Sequence, residues 1–138
     1  MNLTQAVHST VESFRRDVPD YVASGVVDMS TGMLLAADTV DDHPAEILDV
    51  LAAATVDLLQ GRTVVQVEEL WRERRGGSTG LVGDRHYFQE VLVQSDNLVH
   101  LFMRSQSNED LVGVVVCRRP VNVGLLFTMA RQGMHELG

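Results

Sequence analysis

Two apolar spacings alternate along the chain. Over residues 2–17, Leu3, Val7, Val11 and Phe14 fall on one side and His8, Glu12, Arg15 and Arg16 towards the other, the period of a surface helix laid on a core. Pro19 closes it. Residues 21–28 (YVASGVVD) are rich in β-formers, Met29-Ser30-Thr31-Gly32 make a tight connection, and 33–37 (MLLAA) are apolar again, which predicts a β-hairpin. Helical spacing returns over 42–61, with acidic residues and Pro44 at the start and Gly61 at the end. Ile47, Leu51, Ala54 and Leu58 form one row; Leu48, Ala52, Thr55 and Leu59 form a second. The polar stripe is narrow: Glu46, Asp49, Asp57 and Gln60. A helix lying on a sheet needs an apolar arc of only about 100°. The surplus predicts a second surface to be covered, by another protein chain.

Thr63-Val64-Val65-Gln66 has the capping-box form, in which an N-cap hydroxyl and a side chain three residues on satisfy reciprocal backbone amides. A shorter helix is expected from there to Arg75, with Val67, Leu70 and Trp71 against the body and Glu68, Glu69, Arg72 and Glu73 in water. Residues 76–84 (GGSTGLVGD) read as a loop. Residues 85–94 place Tyr87, Val91 and Val93 on one face and Phe88 and Leu92 on the other. Ser95-Asp96-Asn97 turns, and 98–104 alternates Val99, Leu101 and Met103 against His100 and Arg104, a second hairpin. After a turn at 105–110, the continuous apolar run 111–117 (LVGVVVC) predicts a central strand covered on both faces. Pro120 is expected to start a last helix, with Val121, Leu125 and Met129 on one row. The order is helix, two strands, helix with an extension, three strands, helix: a single α+β domain over 1–138.

Charge narrows the class of partner. Eleven basic residues, all Arg, stand against 19 acidic ones, for a net charge of -8. A general field of that sign works against phosphate backbones and anionic lipid, so neither nucleic acid nor a membrane is the expected partner. The lone Cys117 has no internal disulfide partner, which suits a reducing compartment. No basic-plus-apolar leader occupies the first residues, and no apolar run approaches the ~18 residues of a membrane span, so the cytoplasm is the expected location.

Candidate chemistry is thin. Gly76-Gly77-Ser78-Thr79-Gly80 matches G-x-S-x-G, with Asp84, Asp110 and His135 downstream in hydrolase order. A nucleophile elbow needs a strand before the Ser and a helix after it. Here a charged helix end precedes Ser78 and a strand follows, which favours a Gly/Ser loop. His8, His43, His86, His100 and His135 show no metal-ligand spacing. Cys117, ending a run of valines, reads as a small core residue. Asp38, Asp41, Asp42, Glu46 and Asp49 do not match a calcium loop and suit a helix N-terminus. Arg118 and Arg119 read as a solvated pair. No nucleophile, base and oxyanion hole assemble, so the chain is expected not to be an enzyme, and no cofactor or metal is called for.

Three stretches, ASGVVDMSTGMLLA, IL-VLAAATVDLL and VVVCRRPVNVGLLFTMARQ, in this order of elements, resemble the roadblock family of dynein light chains and its bacterial relatives. The resemblance covers about residues 3–60 and 85–133; residues 63–84 depart from it, because members usually reach the third strand by a shorter connection. It implies a profilin-like/roadblock fold: a five-stranded antiparallel sheet with the two terminal helices on one face and the central helix on the other, here with a short extra helix near 64–75. It also implies a homodimer that sets two middle helices side by side and pairs the two third strands into one sheet. Bacterial members commonly regulate small Ras-like GTPases, often without supplying a catalytic residue. Carried onto this sequence, the dimer surface would be the row Leu48, Ala52, Thr55 and Leu59 together with Tyr87, Gln89 and Val91 of the strand 85–94. Asp49 and Asp57 would remain for a partner. The rival class is a small-ligand sensor of profilin-like architecture. Such a pocket needs polar residues converging between sheet and helix, and few point into the expected core.

Overall fold

Residues 111–117 carry no polar stripe because neither of their faces meets water. In the computed structural model, which describes residues 2–40, 45–74, 86 and 88–138 (45–49 by backbone alone), they lie in the middle strand of the sheet. The elements are α1 (Leu3–Asp17), β1 (Tyr21–Asp28), β2 (Met33–Thr39), α2 (Ala45–Gln60), α3 (Arg62–Arg74), β3 (Glu90–Gln94), β4 (Leu98–Arg104), β5 (Leu111–Arg118), α4 (Val123–Met134) and a closing 3-10 turn, His135–Leu137. The five strands pair antiparallel in the order β2-β1-β5-β4-β3. The fold expected from the resemblance is therefore the fold observed, with β2 and β3 at the edges.

Side chains of β5 alternate between the two layers, as a period of two requires. Val115 and Cys117 join Phe14 of α1 and Leu126, Ala130 and Met134 of α4 in one cluster; Val112 and Val114 join Ala52 and Leu59 of α2 and Phe102 of β4 in the other. The terminal helices thus cover one face and α2 the other. Two glycines let α1 and α4 close on the sheet. A Cβ at Gly133 would stand 2.7 Å from the ring of Phe14, and one at Gly113 would stand 3.2 Å from Phe14 Cζ and run into Met134 Sδ. Phe14 is wedged between them with no exposure.

The helix starts follow from their caps. Asn2 Oδ1 accepts from the Gln5 amide at 2.9 Å while Gln5 Oε1 accepts from the Asn2 amide at 3.4 Å, a capping box that begins α1 at Leu3. Asn122 Oδ1 accepts from the Leu125 amide at 3.0 Å, so α4 begins at Val123 and not at Pro120. The buried row of α4 is accordingly Leu126, Ala130, Gly133 and Met134; of the row Val121, Leu125 and Met129 read from spacing, Val121 and Met129 pack partly buried against the same core and Leu125 is exposed. Adjacent leucines made the choice of row ambiguous. The close approach of Gly133 to Phe14 decides it.

Two further rows are corrected. In α2 the row Ala52, Thr55 and Leu59, expected to face outward, is buried against the sheet. Thr55 tolerates this because its hydroxyl donates to the Leu51 carbonyl at 2.8 Å within the helix. In α3, Glu69, Arg72 and Glu73 are exposed as expected, but Glu68 is buried, while Leu70 and Trp71, expected against the body, are 61% and 46% exposed. Polar partners beneath Glu68 outweigh the apolar count of the opposite face. The sequence capping box at Thr63 also does not start that helix, which begins at Arg62. Among the described residues, no helix is long and apolar enough to cross a membrane.

Candidate protein interface and its polar support

β3 is five residues long and has a neighbour on one side only. The Arg104 amide donates to the Gln89 carbonyl at 2.9 Å, and Glu90 lies opposite Met103. Antiparallel alternation then turns the backbone N–H and C=O of Val91 and Val93 towards β4, and those of Glu90, Leu92 and Gln94 towards the open edge. Such a row is a template for pairing with another strand. Of the expected interface residues here, Val91 packs its side chain against the α2 layer, and Gln89 lies just before the strand; Tyr87 lies outside the described residues.

On the sheet face that Val91 packs into, α2 turns an outward side to solvent. Val50 and Leu58 are 69% and 39% exposed, Ala53 and Asp57 are exposed, and Ala54 is half-buried. Residues 50, 53, 54, 57 and 58 recur at helical spacing, so the surplus apolar arc read from the sequence is real and falls on this row. Asp57, expected on the polar stripe left for a partner, is exposed on this same side. The side chains of Leu48 and Asp49 lie outside the described residues. Val50 and Ala53 were missed, although their spacing to Asp57 could have found them.

A buried polar cluster fixes the α2–α3 junction to the start of β3. Arg104, 4% exposed, donates from Nε to the Phe88 carbonyl, from Nη1 to the Glu109 carbonyl and from Nη2 to the Leu59 carbonyl, each at 2.9 Å. One guanidinium therefore joins the end of α2, the approach to β3 and the β4–β5 turn. Burial lowers its pKa, opposed by the charges of Glu68, Glu109 and Asp110. Glu109 accepts from the His86 amide at 3.0 Å and from Gln89 Nε2 at 2.7 Å. Burial works against its carboxylate, but these donors prevail and hold it below the usual carboxylate range. Glu68 Oε2 lies 3.3 Å from His86 Nδ1. Sequence spacing had placed Arg104 on a plain strand face; a lone Arg followed by Ser105 is too weak a signal to reveal three carbonyl contacts from distant segments.

The other candidates separate from this surface. Cys117 is fully buried in the α1–α4 layer, and burial, with the Asp20 charge adding to it, pushes its thiol up to about 12. Asp38 is engaged by Arg15 Nη1 at 2.8 Å and by the Tyr21 hydroxyl at 2.7 Å, a clamp between α1 and the β1–β2 hairpin. His100, half-buried in β4, has its pKa lowered by burial. Ser78 and its loop, His43, Asp41 and Asp42 lie outside the described residues. A shallow pocket of about 90 Å³ between β3 and α4 is crossed by Arg131, which grips Glu90 at 2.8 and 2.9 Å and covers the Phe127 ring at 5.0 Å. Sites for drug-sized molecules occupy roughly 300–1,000 Å³.

No family model and no curated protein matches the chain. Solved structures do. The gliding protein MglB from Thermus thermophilus superposes with a TM-score of 0.68 at 16% identity, covering 99% of this chain and 90% of that one. An MglB with a tetrameric arrangement gives a TM-score of 0.70 at 15% identity, covering 99% and 89%. A Roadblock/LC7 domain from Streptomyces avermitilis gives 0.62 at 15%, covering 99% and 95%. At such identities the likeness is one of fold.

Proposed function

We propose that this chain, which has the roadblock fold, is a non-enzymatic interaction module that self-associates and regulates a small Ras-like GTPase. The observation that carries the reading is the pair of unpartnered surfaces, the open edge of β3 and the outward apolar row of α2. An open strand edge and an exposed apolar helix row are each surfaces that pairing with a second copy would cover, and a closed two-fold dimer leaves no edge exposed. The roadblock family supplies the class of partner, since its bacterial members commonly regulate such GTPases. The tetrameric arrangement described for one MglB supports self-association as a property of this scaffold. On this reading the chain contributes surface and no catalytic group, and a cytoplasmic setting follows from the partner.

The test is a titration of the small Ras-like GTPases of the source cell, each loaded with GDP or a non-hydrolysable GTP analogue, against the purified chain. Binding of one of them in a nucleotide-dependent manner, with a changed rate of GTP hydrolysis, is expected. A chain that is dimeric by sedimentation yet binds none of them at micromolar concentration overturns the GTPase reading.

A further inference from the structure

α3 buries little apolar surface. Thirteen residues long, it buries one side chain, that of Glu68, with Val64 and Val67 half-buried and Leu70 exposed. A lone helix of that length is marginal in water, and a segment with few buried contacts opens at low cost. Glu68 Oε2 lies 3.3 Å from His86 Nδ1, and Arg104 feels the Glu68 charge. The His86 amide in turn donates to Glu109, the His86 carbonyl accepts from Gln89 Nε2, and Arg104 donates to the carbonyls of Phe88 and Gln89. All of these bonds fall within residues 86–89, immediately before β3 begins at Glu90. An anchor of α3 is therefore the approach to the open edge. At its other end, Gly61 alone separates α3 from α2 and supplies a pivot.

We propose that α3 is a switch element whose docking on the body follows occupation of the β3 edge. An edge paired with another strand holds 86–89, and with them His86, where they receive Glu68; a free edge lets α3 swing away about Gly61. Two features make the element bistable and tie it to the edge. A buried carboxylate is stable either paired among its partners or in water, and half-withdrawn it keeps the cost of burial without the pairing, so docking is discrete. Strand pairing engages the open-side groups of Glu90, Leu92 and Gln94 and so fixes the backbone that follows directly on 86–89. The switch rests on the self-association proposed above and carries it to a helix that lies outside the paired strands, in the segment by which this chain departs from the roadblock pattern. Linkage makes the effect reciprocal: a docked α3 strengthens pairing as pairing strengthens docking.

Amide hydrogen exchange over residues 62–74, followed by mass spectrometry on the wild type well below and well above the dimer Kd measured by sedimentation, reads the switch without any substitution. Exchange in α3 should slow by about tenfold on association, a coupling of ordinary size. Gln94→Pro, blocked at the edge, should keep the fast rate at both concentrations. His86→Ala should also exchange fast at both, while its dimer Kd rises several-fold. If α3 of His86→Ala still slows on association, the second copy covers the helix directly and the relay is overturned. Equal α3 exchange in wild-type monomer and dimer overturns the switch and leaves self-association standing. A wild type that is monomeric at high micromolar concentration overturns both.

Discussion

Arg104 Nη2 donates to the carbonyl oxygen of Leu59 across 2.9 Å, linking the end of β4 to the last turn of a helix 45 residues earlier in the chain. With Phe88 and Glu109 as its other acceptors, this side chain satisfies backbone groups of three segments at once. Arg104→Met keeps the stem but leaves three carbonyls without that donor. A loss of about 2–4 kcal/mol in urea unfolding is expected, since each buried acceptor left unpaired costs roughly 1–3 kcal/mol and water will reach some of them.

The burial of Glu68 and the exposure of Leu70 in α3 separate two substitutions that sequence periodicity would rank the other way. Leu70→Gln, at a largely exposed position, should change stability by no more than about 0.5 kcal/mol. Glu68→Ala empties a buried position beside His86 and within the field of Arg104, and should cost about 1–3 kcal/mol. Thermal melts of the two variants side by side check the ranking.

Gly133→Ala brings a methyl group to within 2.7 Å of the Phe14 ring, which is fully buried and on its other side closely approached by Gly113. The gain of up to about 1 kcal/mol in helix propensity is outweighed by overpacking of roughly 1–3 kcal/mol, so a net loss is expected. Phe14→Leu is destabilising alone, yet the two together should cost less than their sum in a double-mutant cycle.

At the β3 edge, Val91→Pro removes an N–H that bonds to β4 and should loosen the β3–β4 pairing. Gln94→Pro removes one that points to the open side, where proline is tolerated in an edge strand. It should leave the melting temperature within a few degrees of wild type and weaken self-association, read by sedimentation. A fully dimeric Gln94→Pro would exclude this edge from the contact.

Alkaline pH should unfold the protein for an identifiable reason. Folding holds the Cys117 proton more tightly than the unfolded chain does, raising its pKa from 9.0 to about 12. Tyr21 shifts the same way, through burial, with its Ser24 hydrogen bond opposing and Asp38 adding. A raised folded-state pKa contributes stability that is fully present below the unfolded value and lost as pH climbs towards the folded one. Stability should therefore be level with respect to these groups up to about pH 9 and fall above it. Cys117→Ala should start from a lower plateau and fall less steeply.

The strands and the order of the elements were legible because their signal is local. The run 111–117, the Met29–Gly32 turn and the period of α1 each fix a structure within a few residues of themselves. Which side of a helix turns inward was less legible wherever both sides offered apolar residues. In α2, Ala52 and Leu59 compete with Val50 and Leu58 on nearly equal terms; in α4, Leu126 competes with Leu125. The choice was made by distant partners, Phe102 and Val114 for α2 and Phe14 for α4. Glu68 is the extreme case. Nothing within its own helix marks it as buried, because its partners come from His86 and the end of β4. Of the candidate interface, the strand and the apolar surplus were legible, and the row was not.

Trp71 is the chain's single tryptophan, and it lies on α3, outside the five-stranded sheet. Its emission therefore reports the surroundings of one peripheral helix, while far-ultraviolet dichroism reports the backbone of the whole fold. If the Glu68–His86 contact and the charge of Arg104 near Glu68 weld that helix to the rest, the two signals will change at the same temperature. If they do not, the interval between the two transitions measures the strength of the weld directly, with no label attached to the protein.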